Sequence, residues 1–224
     1  MNSAELTGRA RTHIVEQPEI GCALHKNVVV PFMAMRRAAL ADGFDLVPAS
    51  GFRDFQRQML IWNEKYAGER PVYDAAGTRL DVTTMSAVAR VEAILLWSAI
   101  PGASRHHWGT DLDLFDRGAA AAGHTPRLTP DEYADGGPFA GLDVWLERHA
   151  ARYGFFRPYR GGVSAVHSEP WHYSFAPLAD GALRDLSADV LREAISLAPL
   201  AGKPQVLARL DDLHARYVAR IDPF

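Results

Sequence analysis

The sequence predicts a single α+β domain, a small and mostly antiparallel sheet with helices covering one side. Three observations point there. Apolar residues recur at three-and-four spacing in residues 31–40 and 85–98, the mark of helices with one buried stripe. Residues 111–115 instead interleave Leu112 and Leu114 with Asp111, Asp113 and Phe115, the period-two signature of a strand with two unlike faces. Gly and Pro fall between such segments. A chain of 224 residues with 48% hydrophobic content suffices for one substantial core, so residues 1–224 are read as one domain.

Taken in order, PFMAMRRAAL at 31–40 is an amphipathic helix stopped by Gly43. FDLVPAS follows as a short strand and delivers the chain to a turn at Ser50 and Gly51. Asp54 then caps a helix running through Met59, Ile61 and Trp62 to about Tyr66, which leaves Arg53 at the strand-to-helix junction. Residues 68–82 lack a period and read as a surface loop. Thr83 or Thr84 opens the helix at 85–98, with Val88, Val91, Ile94 and Leu95 on one side and Pro101 and Gly102 at its end. After the strand at 111–115, residues 118–137 read as a second loop and 142–153 as helix. Aromatic and β-branched residues at 155–175 suggest two short strands around Gly161 and Gly162. Two further amphipathic helices are expected at about 183–197 and 205–221, a helical extension over 178–224.

Composition excludes several functions. A formal net charge of -3 with no basic stripe argues against a nucleic-acid partner. Cys22 is the only cysteine, so any metal site must use His and carboxylates. No apolar run reaches the roughly 18 to 20 residues a membrane span needs, and the greasiest, 91–100, is broken by Glu92 and Ser98. Residues 1–30 mix charged and apolar residues without an export pattern, so a cytoplasmic location is expected.

One constellation carries chemistry. A catalytic zinc site needs three protein ligands and one open position, and imidazoles with a carboxylate supply them. Ser-x-His-x-x-Gly-x-x-x-Asp occurs as Ser104, His106, Gly109 and Asp113; Glu-x-x-His occurs as Glu169 and His172. Together they offer the ligands His106, Asp113 and His172, with the Glu169 carboxylate three residues before the last.

Three motifs in the same order, SGFRDFQRQ at 50–58, SRHHWGTDLD at 104–113 and EPWH at 169–172, give the chain a family resemblance. It resembles the zinc D-alanyl-D-alanine carboxypeptidases and dipeptidases of the vancomycin-resistance type, a branch of the group that includes lysostaphin-type peptidases and hedgehog domains. The matched core spans about residues 50–175. The resemblance implies one Zn2+ per chain on His106, Asp113 and His172, and Glu169 as general base. It implies Arg53 as the group that grips the peptide carbonyl or terminal carboxylate, with Gln58 and Ser104 as further substrate contacts. It also implies a fold in which the sheet carries the zinc site, and peptidoglycan stem peptides or muropeptides as substrates. Removal of the terminal D-alanine from tetrapeptides, an LD-carboxypeptidase activity in wall recycling, fits a cytoplasmic enzyme that spares precursors. DD-carboxypeptidase or dipeptidase action on D-Ala-D-Ala, a lysin-like endopeptidase, and a non-catalytic hedgehog-like zinc module are the rivals. One departure stands out. Family members carry a small residue where this chain has Asp111, which on one strand face with Asp113 either approaches the metal or holds a ligand histidine.

Each residue also has a plainer reading. His107 and His167 neighbour proposed ligands and are expected to support them or face solvent. Trp108 and Trp171 are expected to pack the walls of the site. Arg53 has a structural alternative as partner of Asp54 or Glu64.

Overall fold

Alternation in DLDLFD decides the architecture, because Leu112 and Leu114 must be buried while Asp111 and Asp113 occupy the opposite face. The computed structural model describes residues 1–120 and 124–224. In chain order the elements are α1 (Ser3–Leu6), β1 (Ile14–Gln17), β2 (Cys22–His25), α2 (Val29–Ala41), β3 (Leu46–Ser50) and α3 (Phe55–Ala67). Next come β4 (Val72–Tyr73), β5 (Arg79–Leu80), α4 (Ala87–Leu95), β6 (Asp111–Asp116), α5 (Arg117–Ala120), α6 (Pro130–Tyr133) and α7 (Ala140–His149). The chain closes with β7 (Phe155–Phe156), β8 (His172–Phe175), α8 (Ala176–Asp185), α9 (Ala188–Ser196), α10 (Lys203–Ala208) and α11 (Leu210–Tyr217).

The main sheet is four-stranded and antiparallel, in the order β3-β6-β8-β7. One face buries Leu46, Leu112, Leu114 and Tyr173 against Phe32 and Met35 of α2 and Leu142 and Leu146 of α7. The other face carries the carboxylates of β6. A second apolar cluster joins Trp62 of α3 and Ile94 of α4 to Leu191, Ile195, Val206 and Leu213 from the last helices. Each large side chain so buried contributes about 1.5–3 kcal/mol. The fold class expected from the sequence is the one observed.

Boundaries differ where local chemistry was misread. Residues 68–82 hold the hairpin β4–β5, whose two-residue strands are too short to show a period. Ser86 rather than Thr83 or Thr84 caps α4, because the Asp81 carboxylate takes the Thr83 N–H into a separate turn. Within 118–137, the Thr129 N–H donates to the Glu132 carboxylate at 3.1 Å where α6 starts, while 121–123 lie outside the described residues. The strands in 155–175 pair, but fifteen residues of irregular loop join them instead of a tight turn at Gly161 and Gly162. The expected helix 183–197 is divided at Ser187, which caps α9, and 205–221 is divided at Arg209 between α10 and α11. Among the described residues no helix is long and apolar enough to cross a membrane.

Candidate active site

Strand pairing assembles half of the site. Asp113 of β6 and His172 of β8 are direct cross-strand partners and so project from one face. His106 arrives from a short 3-10 turn, Arg105–Trp108, that ends at Gly109 with φ +65°. A Cβ at Gly109 would sit 2.6 Å from the His25 backbone nitrogen, so only glycine lets the turn close against the β1–β2 hairpin. That is the physical content of the Ser-x-His-x-x-Gly spacing. One ligand atom from each of His106, Asp113 and His172 lies within 4.8 Å of the others, and all three residues are buried.

The donor set fits a tetrahedral cation. His106 Nε2 is 3.3 Å from Asp113 Oδ2 and His172 Nδ1 is 3.2 Å from Asp113 Oδ1. Two ligands on a zinc ion at ordinary bond lengths stand about 3.4 Å apart. Asp113 Oδ1 is buried without a hydrogen-bond partner, although His172 Nδ1 faces it. Only a proton or a cation between them relieves that opposition. Burial alone would lower the His172 pKa, but Asp111, Asp113 and Glu169 outweigh it and hold the imidazole well above its ordinary range. Asp113 is likewise kept below the usual carboxylate range, against the effect of burial, by His106 and His172.

Each imidazole is aimed through its other nitrogen. His106 Nδ1–H donates to the Gly51 carbonyl at 2.8 Å, leaving Nε2 towards Asp113. His172 Nε2–H donates to Asp111 Oδ1 at 2.9 Å, leaving Nδ1 towards Asp113 and Glu169. Of the two roles the sequence leaves open for Asp111, the geometry selects the second. Its carboxylate also takes hydrogen bonds from Arg105, Thr110 and Ser174, so it sits on the far side of the ring from the ligand cluster.

Glu169 Oε2 lies 3.4 Å from His172 Nδ1, beside the cluster. The Arg53 guanidinium donates to Gln58 Oε1 and Ser50 Oγ and lines the same cavity; it pairs with neither Asp54, which caps α3, nor Glu64, which pairs with Arg70. Ser104 is buried in the cavity wall. Gln58 is placed differently from the expected substrate contact. Its amide is spent on Arg53 and on the Ala99 carbonyl, and it does not line the cavity, so it holds Arg53 in place. His107 is fully buried, accepts the Gly102 N–H and donates to the Arg53 carbonyl. Burial pushes its pKa down to about 3, so it is a neutral strut beneath Arg53. His167 stacks on Trp97 with centroids 4.5 Å apart. Trp171 lines the cavity, whereas Trp108 is buried elsewhere, donating to the Leu6 carbonyl.

The cavity has a volume of about 970 Å³ and contains residues the sequence reading passed over, notably Lys65, Trp97 and Tyr159. Lys65 had a legible signal: it lies two helical turns after Gln58 on α3, hence on the same face. Its ammonium donates to Ser98 Oγ at 2.6 Å, and burial brings its pKa down to about 8 despite the opposing charge of Glu169. Tyr159 had none, since it sits in the irregular loop before β8.

Comparison with known proteins places this arrangement. The family model described as VanY, D-alanyl-D-alanine carboxypeptidase, matches residues 21–178, reaching about thirty residues further towards the N-terminus than the three motifs do. A D-alanyl-D-alanine carboxypeptidase of Enterococcus faecalis is 33% identical over 143 residues, which are 62% of this chain and 42% of that protein. An uncharacterised protein of Haemophilus influenzae is 45% identical over 98 residues, 42% of this chain and 67% of its own. Among solved structures, VanYB in complex with D-alanine-D-alanine superposes with a TM-score of 0.53 at 26% identity, covering 83% of this chain and 88% of that one. The match over most of the chain, on a sheet that carries the His-Asp-His cluster, establishes that this protein belongs to the VanY family of D-alanyl-D-alanine carboxypeptidases and is a peptide hydrolase of that family.

Proposed function

We propose that the chain is a zinc carboxypeptidase that releases the terminal D-alanine of peptidoglycan-derived peptides, with one ion per chain on His106, Asp113 and His172. The observation that carries this reading is the convergence of those three side chains, with Glu169 beside them, on one cavity. When bound, zinc supplies Lewis acidity at the scissile carbonyl and lowers the pKa of a water molecule towards neutrality. Glu169 takes the proton of the attacking water on its carboxylate and returns it to the leaving amine. Arg53, whose planar fork stays charged, donates to the substrate carbonyl or terminal carboxylate. Asp111 and Gly51 keep the imidazoles in the tautomers that leave the facing nitrogens free.

The names of the family, of the Enterococcus relative and of the ligand in VanYB favour the D-Ala-D-Ala bond of a pentapeptide over the tetrapeptide bond expected from the sequence. Mass spectrometry of both peptides after incubation, with and without a chelator, tests the reading. Loss of one D-alanine from the pentapeptide, abolished by chelation and restored by zinc, is expected. Turnover of the tetrapeptide alone would reassign the bond, internal fragments would indicate an endopeptidase, and turnover that ignores the chelator would end the metal assignment.

Lys65 adds a pH dependence. Arg53, Arg70 and Glu169 are the charged groups that act on it, and below about pH 8 its ammonium adds to the positive wall of the cavity. Above that pH the charge is lost, so KM for a peptide carrying free carboxylates is expected to rise about fivefold. KM measured between pH 7 and 9 should stay flat in Lys65→Met.

A further inference from the structure

The family match stops at residue 178, yet the segment after α11 reaches back to the loop that carries Glu169. That loop, 157–171, has no regular structure of its own, so its shape depends on individual hydrogen bonds. One of them fixes the acid directly: the Glu169 N–H donates to the Tyr159 carbonyl at 3.0 Å. Tyr159 also lays its ring against His172, with centroids 5.2 Å apart.

Asp222 brackets Tyr159 from both sides. Its N–H donates to the Pro158 carbonyl at 2.9 Å, and its Oδ2 accepts the Arg160 N–H at 2.8 Å. Its Oδ1 accepts the Val163 N–H at 3.2 Å. Asp222 is buried, and Gly162 lies so close that a Cβ there would come within 2.5 Å of Oδ1. Three residues of the loop, Arg160, Gly162 and Val163, are thus shaped to this carboxylate. A further bond, Ala165 N–H to the Arg216 carbonyl, ties the loop to the end of α11, whose Tyr217 lines the cavity.

We infer that Asp222 is a positioning residue for the reaction, clamping the Pro158–Arg160 segment on which both Glu169 and the His172 ring rest. The inference depends on the proposed role of Glu169 as the base. A carboxylate accepting backbone N–H groups makes strong charge-assisted bonds, and an error of about 1 Å in the position of a catalytic group costs on the order of 100-fold in rate. Asp222 touches no reacting atom, so its effect should appear in kcat and in the mobility of the loop.

The test compares wild type, Asp222→Asn and Asp222→Ala, each loaded with zinc, by amide hydrogen exchange and by kinetics on a D-Ala-D-Ala peptide. In Asp222→Ala, exchange across 158–170 is expected to accelerate while β6 and α7 keep their protection. Its kcat should fall about 10- to 100-fold with KM within about twofold and zinc content unchanged. Asp222→Asn, which keeps one acceptor oxygen, should fall between; if the alanine variant does not fold, this variant carries the test. Unchanged exchange in the loop, or faster exchange with unaltered kcat, would overturn the inference. Failure of the wild type to release D-alanine would instead refute the proposed function, while the exchange measurement would still judge the clamp.

Discussion

Glu169→Gln is expected to lower kcat by about 10²- to 10⁴-fold, the contribution of a positioned general base, while the protein still binds zinc. Glutamine keeps the size of the side chain and one acceptor oxygen but cannot take up a proton. The ligand cluster does not include Glu169, whose Oε2 lies 3.4 Å from a His172 nitrogen that faces Asp113 as well. Metal content therefore separates the two roles. Loss of activity with zinc retained identifies the base and excludes a module that binds without hydrolysing. Full activity in the variant would pass the proton transfer to another group. Loss of zinc would make Glu169 part of the metal site.

How much of this was legible beforehand follows from what local sequence encodes. The convergence of His106, Asp113 and His172 was readable because each sits in a motif whose spacing has a geometric meaning: Gly109 closes the turn behind His106, and alternation puts Asp113 on the face opposite Leu112 and Leu114. The Asp54 cap and the α3 helix were equally local. What the sequence concealed was register and tertiary contact. Nothing in 111–116 or 172–175 alone says that Asp113 lies opposite His172, and nothing near Asp222 says that it reaches residues about sixty positions earlier. For Gln58 the motif gives proximity to the site, whereas the direction of its amide depends on Arg53 and on the Ala99 carbonyl, forty-one residues away. The C-terminal helices show the same limit. Apolar periodicity ran through Leu186 and Arg209, and the breaks came from the Ser187 cap and from an Arg209 backbone outside helical geometry.

Asp111→Ala is expected to damage both stability and metal affinity, since this one carboxylate serves two partners that have no other anion at the same position. Arg105 is 3% exposed and donates to Asp111 Oδ1 at 2.7 Å; its remaining side-chain bond goes to the neutral Ser174 hydroxyl. Burial would raise the Asp111 pKa, but Arg105 first and His172 second hold it below the usual carboxylate range, so the pair is ionised at neutral pH. Deleting the carboxylate strands a buried guanidinium, a loss of about 3–5 kcal/mol. Denaturant unfolding of the zinc-free protein measures that part. The second partner is His172, whose Nε2–H would lose its acceptor and with it the orientation that keeps Nδ1 turned to Asp113. Loss of such a supporting acceptor lowers metal affinity about 10- to 100-fold, measurable by competition against a chelator of known strength. Asp111→Asn separates the two effects. It can still accept from His172 through Oδ1 while removing the charge that Arg105 needs, so it should be destabilised with a smaller loss of zinc affinity. If the alanine variant lost stability but bound zinc as tightly as wild type, Asp111 would serve Arg105 alone, and the aim of His172 would have to come from Asp113 and Glu169.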